Sequence, residues 1–281
     1  MRDRRWILSR LLGAVGILLV SLSLWGSSHR QVCPYPREEI FQGITYGCEL
    51  ITPGPEGDGR LYWARVDLSA PGIELYVTPL DPAALSRGWQ YRLKWIADVV
   101  RQERLSVAIN GTLFTSDSRW GLRLPGDLAN SVETVVANHV VSHIWEHTYL
   151  LWFDDLLTPH LETTKPPDAK VIRMAKWGIG GQGVGLRDGT LWPGNSRSPD
   201  SRTAVGIDAA RKLLFLAVGE RISPRLILEK LADLGARDGM LLDGGSSSSM
   251  AIGKGAGGPN GVLHGGWRPV ATHFGIRAHP L

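Results

Sequence analysis

The sequence predicts an α+β fold, a single domain in which a mixed, largely antiparallel sheet carries flanking helices. Three observations predict it. Short apolar runs with period-two alternation recur along most of the chain, Gly, Pro, Asn and Asp close them, and only two stretches repeat apolar residues at helical spacing. With 281 residues, 43% of them hydrophobic, the chain can bury a full core, and one large domain is the simplest division.

The first segment, residues 1–28, reads as a signal peptide or signal anchor: Arg2, Arg4, Arg5 and Arg10 precede an uncharged run from Leu11 to Ser28. Arg4-Arg5-Trp6-Ile7-Leu8 loosely resembles a twin-arginine signal, with Asp3 where a small hydroxyl residue is usual. Either form puts the domain outside the cytoplasm, periplasmic or secreted, and any membrane contact runs through this segment. Residues 29–59 form an N-terminal segment holding the two cysteines, Cys33 and Cys48, with fourteen residues between them. Outside the cytoplasm such a pair is expected to be a disulfide, which contributes up to ~3 kcal/mol by closing a loop of this size.

The main domain spans residues 60–281. Leu61–Asp67 and Ile73–Val77 alternate and read as an antiparallel pair joined near Pro71 and Gly72. Leu93, Ile96, Ala97 and Val100 then recur at helical spacing, with Lys94, Asp98, Arg101 and Glu103 facing away. That helix leads into a buried strand, Leu105–Ile109, which ends on Asn110 and Gly111. Residues 132–153 are rich in Val, Ile, Trp, Thr and Tyr and read as strands turning at Asn138-His139.

Two motifs here resemble other chemistries. His143, Glu146 and His147 have the H-x-x-E-H order of zinc hydrolases, with His139 four residues earlier, but that motif needs a helix where a hairpin is predicted. Gly178-Ile179-Gly180-Gly181-Gln182-Gly183 fits G-x-G-x-x-G, yet a hairpin over residues 184–192 with Asp188-Gly189 as its turn follows, not the helix that dinucleotide binding requires.

Beyond a polar loop, residues 193–201, Arg202 and Thr203 stand just before a strand, Ala204–Ile207, and Leu213–Val218 forms the next. The clearest helix is Pro224–Leu234, with Ser223 as N-cap and Gly235 as its stop. It delivers the chain to a strand ending at Met240-Leu241-Leu242, so Asp243 falls at the strand mouth, followed by Gly244, Gly245 and Ser246 to Ser249. A glycine-rich loop, residues 257–266, then carries Asn260 and His264 before Trp267-Arg268-Pro269 and a final strand, Val270–Ile276.

Charge narrows the partners. Residues 1–30 hold five arginines and one aspartate, a local +4 that equals the whole chain's +4, so the domain itself is balanced. Nucleic acid binding needs a basic stripe on the folded domain, and none is expected. No G-x-S-x-G elbow surrounds Ser246 to Ser249, which argues against a serine hydrolase. Asn110, Arg202 with Thr203, Asp243 with Ser246 and Ser247, and Arg268 all stand at loop–strand junctions. Such a set suits an anionic ligand, because arginine forks pair with phosphate and an aspartate serves as base, nucleophile or hydroxyl ligand. Trp63, Trp95 and Trp152 lie in apolar runs and read as core, whereas Trp120, Trp192 and Trp267 lie near loops as stacking candidates.

The segments Ala108–Phe114 (AINGTLF), Ser201–Asp208 (SRTAVGID), Leu242–Ser248 (LDGGSSS) and Trp267–Val270 (WRPV) occur in the order seen in phosphodiester glycosidases, which the chain resembles over about residues 60–277. The resemblance implies a secreted or membrane-bound hydrolase that removes a sugar from a sugar-phosphate diester, on an α+β fold. By position it marks Asn110, Arg202 and Asp243 as catalytic candidates, with Thr203, Gly244, Gly245, Ser246, Ser247 and Arg268 as substrate-binding candidates. One departure is visible: Ser246 stands where the family commonly has a third glycine, adding a Cβ where close approach to ligand is wanted. In the mechanism this implies, Arg202 and the Gly244 and Gly245 amides hold phosphate while water or Asp243 attacks the anomeric carbon.

The expected function is therefore an exported hydrolase that cleaves a sugar from a sugar-phosphate diester or a phosphate-containing envelope glycan. A non-catalytic glycan-binding or envelope-assembly domain is the second reading, and a metal-dependent hydrolase using His139, His143 and His147 the third. No cofactor is predicted, and a divalent metal is left open.

Overall fold

Strand β3, Gly57–Asp67, divides its side chains between two cores: Tyr62, Ala64 and Val66 point one way, Leu61 and Trp63 the other. In the computed structural model, which describes residues 33, 38–118, 121–146, 149–192, 197–253, 261–265 and 267–281, β3 is central to an eight-stranded sheet. The order across that sheet is β1 (Glu38–Phe41), β2 (Ile44–Leu50), β3, β17 (Leu213–Ile222), β16 (Asp200–Ile207), β18 (Asp238–Leu241), β14 (Gly183–Arg187) and β15 (Thr190–Leu191).

A second sheet runs β20 (Gly261–His264), β19 (Met250–Ile252), β6 (Val107–Asn110), β21 (His273–Arg277) and β4 (Glu74–Val77). A third runs β10 (Val140–Val141), β9 (Val135–Ala137), β13 (Trp177–Gly181), β11 (Tyr149–Phe153) and β12 (Pro159–Glu162). The smallest joins β5 (Tyr91–Arg92), β8 (Leu128–Ser131) and β7 (Phe114–Ser116). One buried apolar cluster draws on the first three, including Val66, Leu75, Ile109, Leu151, Ile179, Leu216 and Phe274.

The expected single mixed sheet is thus four sheets, and every described strand pair in them is antiparallel. Parallel pairing needs a crossover of a dozen or more residues, usually a helix, whereas most connections here are short. The expected pairing of Leu61–Asp67 with Ile73–Val77 does not form. Both edges of β3 are already taken, by β2 and β17, so the chain crosses to the second sheet, where β4 pairs with β21. The two segments still share the core, from facing sheets.

Both expected helices form. Helix α2, Ile96–Gln102, buries Ile96, Val99 and Val100, and α4, Pro224–Asp233, is capped by the Ser223 side chain accepting from the Leu226 N–H and ends before Gly235 at φ +112°. Two short helices, α1 (Pro82–Leu85) and α3 (Ala169–Met174), were not expected; each has an aspartate N-cap, Asp81 and Asp168. The β9–β10 hairpin turns on Asn138 and His139, both at positive φ as a two-residue primed turn requires, and Asp188-Gly189 does the same between β14 and β15. Gly181 is explained by packing: a Cβ there would meet the Leu241 carbonyl at 2.4 Å.

Three boundaries are corrected. Arg202 lies inside β16, paired with Gly219, because the strand starts at Asp200 and is extended by β17. Gly261–His264, expected as loop, pairs as β20 with β19, while residues 254–260 lie outside the described residues. The last strand begins at His273; Val270 makes only an isolated bridge to Lys94. Cys33 and Cys48 form the expected disulfide, fastening the chain ahead of β1 to β2. The expected signal, residues 1–28, lies outside the described residues, as does Trp120. No described helix is long and apolar enough to cross a membrane.

Candidate active site

Strand β6 ends at Asn110 in the second sheet and β18 ends just before Asp243 in the first, so two strand mouths meet across the core. Asn110 ties them together and is fully buried. Its Nδ2 donates to the Asp243 carbonyl (2.7 Å), while its Oδ1 accepts from the Thr203 hydroxyl (2.7 Å) and the Ser249 N–H (3.0 Å). The amide supplies a donor and an acceptor at one end, which an ionised Asp or a Leu at this position would not. The Asp243 N–H donates to the Gly111 carbonyl and the Leu242 N–H to the Thr203 carbonyl, which fixes the strand mouth on both sides. Asn110 and Thr203 therefore hold the backbone that presents Asp243.

Asp243 is 4% exposed. Burial pushes its carboxyl up to about 6, against the opposing pull of the Ser247 hydroxyl, the Arg123 charge and the Gly244 N–H. Its Oδ2 has no hydrogen-bond partner. Arg268 Nη2 lies 3.8 Å from that oxygen, and the Arg268 guanidinium donates to the Ser247 hydroxyl through both Nε and Nη2. Arg268 and Arg123 also lie over the Phe114 ring, at 5.4 and 5.0 Å from its centroid, so one aromatic ring contacts two cations. Both place positive charge near Asp243, which suits an anionic ligand.

A second carboxylate, Glu133, is buried close by. The Leu113 N–H donates to its Oε2 at 2.7 Å, and burial, with the negative charge of Asp243 adding to it, pushes its carboxyl up to about 8. Near neutral pH Asp243 is ionised and Glu133 holds its proton. Two carboxylates whose pKa values are pushed apart in this way are candidates for an acid and a base. Sequence reasoning missed Glu133, Arg123 and Phe114. The readable signal was a lone acidic residue between Val132 and Thr134 in a β-rich apolar stretch, which has no reason to be there as core.

Arg202 is placed differently. Alternation along β16 sends Thr203 toward Asn110 and Arg202 to the opposite face, where Ala204 packs with α4. The Arg202 Nη2 donates to the Ser198 carbonyl, and Nη1 lies beside Gly244, where a Cβ would sit 3.5 Å away. Gly244 is also close to the Ser201 carbonyl, at 3.2 Å from that Cβ position, and its N–H serves the Asp243 carboxylate. Gly245 is held at φ +60°, a conformation that favours glycine, and opens the short helical turn Gly245–Ser247. Within that turn Ser246 is exposed and Ser247 buried, so the side chain that replaces the family's third glycine points to solvent and crowds nothing at Asp243.

The zinc reading loses its geometry. His139 sits in the hairpin turn with Nε2 3.3 Å from Asp155, and His143 stacks edge-on against Trp145. His147 lies outside the described residues, and among those described no group of three His, Cys, Asp or Glu is placed to hold a metal ion.

The sequence profile of the phosphodiester glycosidase family matches residues 103–277, more than half of the chain. The chain belongs to the phosphodiester glycosidase family. The matched stretch of this phosphodiester glycosidase contains Asn110, Glu133, Thr203, Asp243, Ser247 and Arg268. Solved structures share the fold. The zebrafish N-acetylglucosamine-1-phosphodiester alpha-N-acetylglucosaminidase catalytic domain, auto-inhibited by its pro-peptide, is 14% identical with a TM-score of 0.59, the match covering 89% of this chain and 87% of that one. A hypothetical protein from Synechocystis is 13% identical with a TM-score of 0.56, over 84% of this chain and 62% of that one. A putative exported protein from Burkholderia pseudomallei is 12% identical with a TM-score of 0.55, over 78% and 74%. None of the curated proteins matches the sequence.

Proposed function

We propose that this phosphodiester glycosidase is an exported hydrolase that cleaves a sugar from a sugar-phosphate diester or a phosphate-containing envelope glycan. One observation carries the reading: a buried aspartate at a strand mouth, Asp243, faces two arginines and is paired with a second buried carboxylate, Glu133. Family membership and the fold shared with the zebrafish enzyme support it. The disulfide and the basic-then-apolar N-terminus support export.

The chemistry follows from the charges. Ionised Asp243 takes a proton from water as its oxygen bonds to the anomeric carbon, and the bond from that carbon to the phosphate oxygen breaks. The electron pair leaves on the phosphate monoester, Arg123 and Arg268 stabilise the charge that develops there, and Glu133 supplies a proton to the leaving oxygen. Proton exchange with solvent restores both carboxyls. Because phosphate is a good leaving group, most of the stabilisation is needed on the anion, which is why arginines crowd the site.

The test is hydrolysis of an N-acetylglucosamine-1-phosphodiester in ¹⁸O-labelled water. Label in the released sugar is the expected result; label in the phosphate means phosphodiesterase chemistry and overturns the reading. Asp243→Asn is expected to reduce the rate by about a thousandfold or more, the scale for loss of a group acting in the transition state, while circular dichroism stays native. An active Asp243→Asn enzyme sinks the assignment.

A further inference from the structure

Large apolar side chains scattered singly over a surface need no explanation, but five of the twelve exposed among the described residues gather at one place, the rim of the Asp243 site. Leu122 and Leu124 are 66% and 58% exposed and flank Arg123, and Trp267, 80% exposed, directly precedes Arg268. Because both arginines lie over the Phe114 ring, these two tips stand on the same side of the site. Ile144 and Trp145 add a third tip: the Trp145 N–H donates to the hydroxyl of Thr134 (3.1 Å), the residue after Glu133.

The first two tips are held in place. The Asp127 carboxylate accepts from the Leu124 N–H (2.8 Å) and the Gly126 N–H donates to the Leu93 carbonyl (2.9 Å), which fixes residues 122–124. Arg268 is fastened to the Ser247 hydroxyl, and with it the backbone that carries Trp267. Residues 121–126, 143–146 and 267–268 hold three charged side chains, Arg123, Arg268 and Glu146, so the rim mixes apolar tips with a net positive charge.

We infer that this rim docks on an anionic lipid surface, with residues 122–124 and Trp267 entering the headgroup region. Leucine and tryptophan tips beside arginines suit a bilayer interface, where apolar groups reach the acyl boundary and guanidinium groups stay at the level of the phosphates. The basic residues Arg2, Arg4, Arg5 and Arg10 ahead of the uncharged run Leu11 to Ser28 fit a chain that works beside such a surface. A second copy fits less well, since two apposed rims would bring Arg123 and Arg268 against their own counterparts out of water. Docking of this kind goes beyond the proposed reaction and does not depend on it.

The experiment places an environment-sensitive fluorophore on the full chain through Leu122→Cys or, as a control, Leu156→Cys, the native cysteines being joined in their disulfide. Leu156 is 85% exposed between β11 and β12, at the opposite end of β11 from Tyr149 and Trp145. On vesicles of equimolar phosphatidylcholine and phosphatidylglycerol, the probe at position 122 is expected to shift to the blue and to be quenched by a lipid-borne nitroxide. The probe at position 156 is expected to keep its aqueous emission. Trp267→Ala is expected to lower the docked-to-free ratio read at position 122 about tenfold. Aqueous emission at position 122, an equal shift at position 156, or an unchanged ratio in Trp267→Ala overturns the docking, and an equal shift on phosphatidylcholine alone overturns the choice of an anionic surface. Blue emission before vesicles are added means that protein covers the rim, a second copy where it rises with concentration and the chain's own apolar N-terminal run where it does not, and either overturns the lipid reading.

Discussion

At the scale of single residues, burial moves both carboxyls of the candidate site away from their ordinary range. Asp243 and Glu133 both lie out of water, and their carboxyls are pushed up to about 6 and about 8. Between those values one is a base and the other an acid, so kcat/KM is expected to be bell-shaped, rising through about pH 6 and falling through about pH 8. Glu133→Gln removes the group that titrates on the alkaline side, and a pH profile of that variant should lose its upper limb. Persistence of that limb assigns it elsewhere. Asn110, Asp243, Ser247 and Arg268 were legible in the sequence as polar residues at loop–strand junctions, and the structure brings all four together. Arg202 was legible too; it lies on the opposite face of β16 from Thr203, with Nη1 beside Gly244, the residue that follows Asp243.

At the scale of elements, local chemistry was the readable part. Asn138-His139 and Asp188-Gly189 turn as their residue types require, and Ser223, Pro224 and Gly235 bound α4 as caps and stop. Partners were not readable. Alternation says that Leu61–Asp67 and Ile73–Val77 are strands, yet nothing in it says that β17 arrives from 150 residues away to occupy the edge of β3. The disulfide is the element-scale device of the N-terminus: it fastens Cys33 to β2, next to the edge strand β1. Cys48→Ser is expected to lower unfolding free energy by up to ~3 kcal/mol, measured by urea titration beside reduced wild type. Equal stability of oxidised wild type and the variant would show that the bond constrains nothing.

For the whole molecule, the site is a cost carried by the core. Because Asp243 binds its proton more tightly when folded, the stability this residue contributes is present below about pH 4 and lost as pH rises through about 6. Replacing Asp243 with Asn removes that loss. The variant is expected to exceed wild type by up to about 3 kcal/mol at pH 7 and to match it near pH 3, read from denaturant unfolding at the two pH values. A wild type as stable as the variant at pH 7 would mean that the buried charge is fully compensated. That cost is tolerable because one apolar cluster spans three sheets and holds both strand mouths rigid. Sequence by itself determined the two longer helices, the hairpin turns and the Asp243 cluster, since each depends on residues within a few positions of one another, and it paired the two cysteines because the chain has only those two. Only the tertiary structure decided that the strands form four antiparallel sheets and that Glu133 and Arg123 join Asp243. Those outcomes depend on which strand edges are free and which side chains lose water together, and both are set by contacts between residues distant along the chain.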